Sequence, residues 1–345
     1  MYNNFILRKD LRLRKKTMTK NNVIYILITC MIFANFFIYT KIFTNKMPET
    51  KITSTVSENI AQNPDNGTVE ETNSLPLNSK YIHAKIADTH SGELVLVNKD
   101  HPFIFDNITE IVKKQSNISI YSAKSQSYFV KDINVSLDKT AIEAFNRMMD
   151  DYYAQNGNKK NVIVTQGLRT YEEQQAMLEL KISQFGANQT IAQTPGNSEH
   201  HTGLAFDIST YVGGVMGTFT GDGEYKWVHD NAHKYGFVLR YPQGKEDITG
   251  ISYESWHFRY VGIPHAQYMY QNGITLEEYI SVLSNCKFDE SELSITDETT
   301  GNIYSVYAVP VLNDGAQVPV PTSASEKEYT LSGSNCGHII VTVKE

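Results

Sequence analysis

The sequence predicts an α+β fold, in which a small and mainly antiparallel sheet is flanked by helices. Two short runs have the β-branched or alternating character of buried strands, Asn161–Thr165 and Leu204–Ser209. Apolar residues recur at helical spacing over residues 137–153. A second helix is predicted to begin at the capping box formed by Thr170 and Glu173 and to end near residue 186.

Further elements are expected on both sides of these. An apolar run predicts a first strand at Glu93–Val97, and a helix over residues 224–235 should stop at Gly236. Downstream, the pattern predicts a strand at Phe237–Tyr241, a helix at His265–Gln271, and another helix that follows a capping box at Thr275 and Glu278.

The first 43 residues have the composition of a membrane anchor. Residues 1–20 carry seven lysines and arginines against one acid, Asp10, and an apolar run from Val23 to about Tyr39 follows. A membrane-spanning helix needs roughly 17–25 residues, and basic residues mark its cytoplasmic side. We therefore predict a basic cytoplasmic segment over 1–22 and a transmembrane anchor over 23–43. A cleaved signal peptide is the alternative, although no small-x-small cleavage site follows the run.

The remaining chain divides into three segments by composition. Residues 44–78 are polar and aperiodic, which predicts a disordered linker. Residues 79–285 should form the main folded domain, and residues 286–345 a small β-rich appendage with strand-like pieces at Ile303–Val311 and Ile339–Val343. The formal charge of −7 gives no indication of nucleic-acid binding. Cys286 and Cys336 would both lie outside the membrane, where they could pair.

Two short stretches carry the residues of a zinc site. Zinc accepts histidine nitrogen and carboxylate oxygen, and a catalytic site keeps one position open. Asp207, His257 and one of the adjacent residues His200 and His201 would supply three ligands, and Glu254 could act as general base. The stretches are Ser198-Glu199-His200-His201-Thr202-Gly203-Leu204-Ala205-Phe206-Asp207 and Glu254-Ser255-Trp256-His257.

Geometry places conditions on this site. In a strand over 204–209, Ala205 and Asp207 would face one side and Phe206 the other. Glu254 and His257 would point to opposite faces of a regular strand, so Glu254 must precede the strand or lie on a bulge. Arg169 falls at a junction between strand and helix, where side chains often face a cleft.

The two stretches together resemble the signature of the zinc D-alanyl-D-alanine carboxypeptidases, the family that includes the vancomycin-resistance carboxypeptidases. The likeness covers roughly residues 90–285, including Gly167–Gln174 and Leu239–Gly250. It departs at Gln166-Gly167-Leu168-Arg169, where relatives usually read Ser-Gly-Tyr-Arg. That change bears on substrate preference and leaves the metal site unaffected.

The resemblance implies a role for each matching residue. It makes His200, Asp207 and His257 the zinc ligands, with His200 preferred to His201, and Glu254 the catalytic base. Arg169 would hold substrate oxygens or the oxyanion of the transition state. The residues implied to line the substrate cleft are Ser198, Gln174 and Tyr241.

These observations lead to an expected function. We expect a single-pass cell-membrane protein, monomeric, whose extracytoplasmic domain uses Zn²⁺ to remove the C-terminal D-alanine from peptidoglycan stem peptides. An L,D-carboxypeptidase and a peptidoglycan endopeptidase with the same zinc site are the alternatives. A non-catalytic zinc-stabilised wall-binding module is a third, which Glu254 and Arg169 disfavour because a purely structural site needs neither.

Overall fold

A computed structural model of the chain describes residues 79–107, 109–189, 191–322 and 328–345. The predicted cytoplasmic segment, membrane anchor and linker all lie outside these ranges. Among the residues that are described, no helix is both long enough and apolar enough to span a membrane.

The described residues form both helices and strands, as predicted. The strands are β1 (Ser79–Ala84), β2 (Asn117–Ser119), β3 (Phe129–Val130), β4 (Ser136–Asp138), β5 (Val162–Gln166), β6 (Ala205–Val212), β7 (Val215–Gly217), β8 (Phe237–Leu239), β9 (His257–Tyr260), β10 (Leu293–Thr296), β11 (Ile303–Pro310), β12 (Ala316–Pro321), β13 (Tyr329–Gly333) and β14 (His338–Lys344). The helices are α1 (Ile120–Ala123), α2 (Lys139–Gln155), α3 (Tyr171–Phe185), α4 (Lys226–Asn231), α5 (Glu246–Thr249), α6 (Ile263–Asn272) and α7 (Leu276–Leu283). Short 3-10 helices cover Ile86–His90, Glu199–Thr202, Gly223–Tyr225 and Ala232–Tyr235.

The central sheet has the strand order β3-β5-β6-β9-β8, and β7 forms a hairpin with β6. Only the β3–β5 pair in it is parallel. The expectation of a mixed α+β fold with a mainly antiparallel sheet is confirmed.

One face of this sheet is covered by α2. The helix begins where the Asp138 carboxylate accepts hydrogen bonds from two backbone amides of the first turn. Its Phe145 contacts Phe206 of β6 and Phe237 of β8, with ring centroids 4.7 and 6.2 Å apart. Phe206 is fully buried in this core, so the alternation along β6 directs Asp207 to the opposite face.

The helix α3 also follows its prediction. Thr170 accepts a hydrogen bond from the backbone amide of Glu173, whose side chain accepts one in return from the amide of Thr170. The helix ends before Gly186. A short loop over residues 167–170 connects β5 to α3.

A second core joins the C-terminal strands to α6 and α7. Strands β10, β11, β14 and β13 form one antiparallel sheet, and its apolar residues pack with Met269 of α6 and Leu283 of α7. Strand β12 pairs with β1 from the start of the described chain. The predicted β-rich pieces correspond to β11 and β14, while the domain boundary at residue 286 stays a prediction. Within the described residues Cys286 and Cys336 are free thiols.

One of the predicted elements was wrong. Residues 93–97 form no strand: the apolar side chains are buried on all sides, and the carbonyls of Glu93 and Val95 accept hydrogen bonds from the Arg259 side chain. The predicted helical segment over 224–235 is confirmed and stops at Gly236. It consists of a 3-10 turn, α4 and a second 3-10 helix in succession, and Asn231, with φ −119°, separates the last two.

Candidate active site

Three predicted metal ligands converge on the open face of the central sheet. His200, Asp207 and His257 each place a ligand atom within 4.8 Å of the others. Oδ1 of Asp207 lies 2.9 Å from Nδ1 of His257, and Oδ2 lies 3.5 Å from Nε2 of His200. Both histidines are buried. Two nitrogens and one carboxylate are a donor set that zinc accepts.

Backbone contacts determine which nitrogen of His200 faces this cluster. His200 lies on the 3-10 helix just before β6, and its Nδ1 donates a hydrogen bond to the Gly167 carbonyl at 2.8 Å. A carbonyl can only accept, so Nδ1 carries the proton and Nε2 keeps its lone pair. Nε2 is the nitrogen that faces Asp207.

The neighbouring His201 takes no part in the cluster. Its Nδ1 donates to the Arg169 carbonyl at 2.7 Å, and its Nε2 accepts from the amide of Gly196 at 3.0 Å. Both ring nitrogens are therefore used to tie two loops together. The structure thus separates two histidines that are adjacent in the sequence.

Glu254 lies on the loop that precedes β9. Its backbone amide donates to the Tyr241 carbonyl at 3.1 Å, and its Oε2 lies 3.7 Å from Nδ1 of His257. Because Glu254 precedes the strand, its side chain and that of His257 can face the same cleft, as the site requires. Burial is the main cause that raises the pKa of Glu254 to about 7. A carboxyl with a pKa near neutrality is suited to accept and release a proton.

Arg169 is held rigidly at the start of α3. Its amide donates to the His200 carbonyl at 3.1 Å, and its Nη1 donates to Oε1 of Gln174 at 2.6 Å. Nη2 reaches Oε1 of Gln166 at 3.4 Å. Gln174 in turn donates to the Gln193 carbonyl at 2.7 Å. The side-chain amide of Gln174 therefore holds the Arg169 guanidinium in place. Direct contact between Arg169 and the substrate stays a prediction.

All eight predicted site residues line one cleft of about 300 Å³. Besides the three ligands, Glu254, Arg169 and Gln174, the lining includes the other two predicted substrate contacts, Ser198 and Tyr241. The ring of Tyr241 lies 4.8 Å from that of His257, between centroids. A larger cavity of about 410 Å³ lies elsewhere and includes Glu93, but its lining holds none of the three ligands.

Two of the three ligands are already in the charge state that binds metal. Burial would raise the pKa of Asp207, but His200 and His257 outweigh it and hold that pKa well below its usual range. Burial lowers the pKa of His200 to about 4. At neutral pH, Asp207 is therefore ionised and His200 neutral, the forms in which both groups bind metal. Burial would lower the pKa of His257, but the carboxylates of Asp207 and Glu199 outweigh it and raise that pKa to about 9. The three residues fit a zinc ion, which would take the place of the proton between His257 and Asp207.

A buried charged network beside the ligands was not predicted. Oε1 of Glu199 accepts hydrogen bonds from Nε of Arg240 and Nη1 of Arg259, both at 2.8 Å, and Arg240 also binds Glu277 through two bonds. The sequence does hold one indication of this network: Arg240 and Arg259 stand within or directly after short apolar runs that resemble strands. A charged side chain that is buried with such a run needs an oppositely charged partner.

Comparisons with known proteins point to one family. A family model described as D-alanyl-D-alanine carboxypeptidase (VanY) matches residues 134–263. A D-alanyl-D-alanine carboxypeptidase of Enterococcus faecium is 32% identical over 292 residues, which are 83% of this chain and 86% of that protein. The bifunctional D-Ala-D-Ala dipeptidase and carboxypeptidase VanXYC of Enterococcus gallinarum is 32% identical over 55% of this chain and 95% of its own length.

A solved structure shows a similar fold. It is that of the vancomycin-resistance D,D-dipeptidase VanXYg, in complex with a phosphinate analogue of D-Ala-D-Ala. The TM-score is 0.66 at 28% identity, and the match covers 77% of this chain and 99% of that one.

Proposed function

The chain belongs to the VanY family of D-alanyl-D-alanine carboxypeptidases and is a zinc metallopeptidase, and we propose that it removes the C-terminal D-alanine from peptidoglycan stem peptides. The observation that carries this proposal is the cleft in which Glu254 lies beside three converging ligand atoms. The E. faecium relative has the same activity in its name, and it aligns over most of both chains.

Within this proposal, His200, Asp207 and His257 hold zinc. Bound there, zinc supplies a Lewis acid that polarises the scissile carbonyl and allows water to attack near neutral pH. The bound ion would keep a net positive charge, because Asp207 is the only anion among its three protein ligands.

Glu254 and Arg169 do the remaining chemistry. The Glu254 carboxylate takes a proton from the attacking water and delivers it to the nitrogen of the departing D-alanine. Arg169 is buried and braced by Gln174, and its fixed charge stabilises the oxyanion or holds the substrate carboxylate. Ser198 and Tyr241 also line the cleft, and in this proposal they contact the peptide.

The proposal includes a location. The basic residues before the predicted anchor at 23–43 favour a cytoplasmic N-terminus, so the enzyme domain acts outside the membrane, tethered through residues 44–78. A tether keeps the cleft close to newly made wall precursors.

Product analysis with the full chain tests the reaction. The zinc-loaded protein is incubated with pentapeptide stems, tetrapeptide stems and cross-linked dimers, and the products are weighed. We expect loss of one alanine from the pentapeptide, with the other two unchanged. Loss of alanine from the tetrapeptide alone would instead identify an L,D-carboxypeptidase, and cleavage of dimers alone an endopeptidase. If all three substrates stay intact, the proposed activity is wrong.

A further inference from the structure

Glu199 lies behind the metal cluster and faces the ring of His257 from the side opposite Asp207. Its side chain is completely buried, and Oε2 lies 3.8 Å from Nε2 of His257. Within the described part of the chain, both of these atoms are buried and neither has a hydrogen-bond partner. Buried polar atoms without partners are rare, so two that face each other indicate an interaction that a small movement completes.

The rest of the network fixes which carboxylate oxygen is available. Arg240 and Arg259 both donate to Oε1, which leaves Oε2 toward His257. Arg240 is held in turn by Glu277, and Arg259 by the carbonyls of Glu93 and Val95. Glu199 is thus clamped from behind and cannot rotate away from the histidine without breaking buried ion pairs.

We propose that Glu199 is a positioning residue that accepts the Nε2 proton of His257 and so keeps Nδ1 free to bind the metal. An imidazole that ligates metal through one nitrogen carries its proton on the other, and a carboxylate partner for that proton orients the ring and makes the ligand more basic. His200 has the carbonyl of Gly167 for the same purpose. The inference rests on the proposed function, since it assumes that His257 is a zinc ligand.

The variant Glu199→Gln tests this directly. The two arginines can only donate, so the amide oxygen of the glutamine must face them and its NH₂ must face His257. His257 would then have to accept at Nε2 and carry its proton on Nδ1, the nitrogen required for the metal. We expect the zinc dissociation constant, measured by competition with a chelator, to rise about 10- to 100-fold.

Glu277→Gln is the matched control. It removes a carboxylate from the same arginine without touching His257, and a network that only supports the fold would be weakened in a similar way. We expect zinc affinity within about 2-fold of wild type for this variant, well below the effect expected at Glu199. Equal loss of affinity in both variants, or wild-type affinity in Glu199→Gln, would overturn the proposal.

A measurement on the unmodified protein covers the case in which Glu199→Gln does not fold. Nitrogen-15 NMR of the zinc-loaded chain should show His257 bound through Nδ1, with a slowly exchanging proton on Nε2. Coordination through Nε2 would contradict the role of Glu199. The proposed function fails if the wild-type chain binds no zinc, or if His257→Ala binds zinc as tightly as wild type. If only Glu199→Gln keeps wild-type zinc affinity, the positioning role of Glu199 is refuted and the proposed function stands.

Discussion

His257 and Asp207 lie directly opposite each other on β9 and β6, and Nδ1 of the histidine is 2.9 Å from Oδ1 of the aspartate. Directly opposed side chains on antiparallel strands are about 4.5–5.5 Å apart at Cβ, close enough to share one ion. Strand pairing therefore brings together two ligands that are fifty residues apart in the chain. The third, His200, precedes β6 by one tight turn.

Replacing each of the two adjacent histidines should separate their roles. We expect His200→Ala to lose zinc binding by at least about 100-fold, because a three-ligand site cannot easily replace a nitrogen donor. His201→Ala should keep zinc but lower the free energy of unfolding by about 1–3 kcal/mol, because Arg169 and Gly196 lose a buried partner. Zinc titration and thermal unfolding measure the two effects. The opposite pattern would exchange the two assignments.

Arg169→Lys should slow the reaction without affecting the metal. Lysine keeps the charge but loses the planar fork that Gln174 and Gln166 hold, so the charge is no longer fixed toward the cleft. We expect kcat/KM for D-alanine release to fall about 100-fold, with unchanged zinc content. Arg147→Lys, on the exposed face of α2, is the control and should retain full activity. Equal rates for Arg169→Lys and wild type would remove Arg169 from the mechanism.

Gly167→Ala should disturb the site through the backbone. A Cβ at this position would come within 2.2 Å of the Ser136 carbonyl oxygen, so the loop that carries the Gly167 carbonyl must shift. We expect a loss of about 1–3 kcal/mol in stability, and weaker zinc binding because His200 loses its orienting acceptor. In Gly217→Ala the new Cβ meets only the tip of the Thr210 side chain, which can rotate. Comparable zinc loss in both variants would argue against this explanation.

Glu93 makes the stability of the fold depend on pH. Burial, with a smaller contribution from Asp138, raises the pKa of Glu93 from its ordinary 4.5 to about 7. The folded state therefore favours the neutral form, so the stability that this group contributes is complete below pH 4.5 and is lost as the pH rises toward 7.

We therefore expect Glu93→Gln to be more stable than wild type by about 2 kcal/mol at pH 8 and to show little difference at pH 4. Denaturant unfolding at several pH values measures this. Glu143→Gln, on the exposed side of α2, should show no such gain. A gain for Glu93→Gln that is the same at pH 4 and pH 8 would contradict the explanation.

Local patterns in the sequence were sufficient to predict the elements that carry the site. The capping box at Thr170 and the alternation along Leu204–Ser209 correspond to real elements, since both depend on neighbours within a few residues. The ligands were predicted because their residue types and spacing are unusual together. The choice between His200 and His201 depended on the family resemblance, and the structure adds the physical reason, which is that both nitrogens of His201 have backbone partners.

Other features depend on contacts between distant parts of the chain. Glu199 meets arginines 41 and 60 residues away, and no local pattern indicates which buried charges will pair. The run Glu93–Val97 has strand-like composition, yet its backbone groups bond to the side chain of Arg259 and to the segment over residues 332–335 instead of to a strand. Burial by tertiary contacts and burial in a sheet require the same residue types, so composition alone does not separate them.

The most direct test of the mechanism is D-alanine release by Glu254→Gln, measured together with its zinc content. The glutamine keeps the size of the side chain and removes its ability to accept a proton. We predict one zinc ion per chain, as in wild type, with turnover of a pentapeptide stem reduced by about 10²- to 10⁴-fold. Wild-type turnover by the zinc-loaded variant would contradict the assignment of Glu254 as the general base, and with it the mechanism proposed for this cleft.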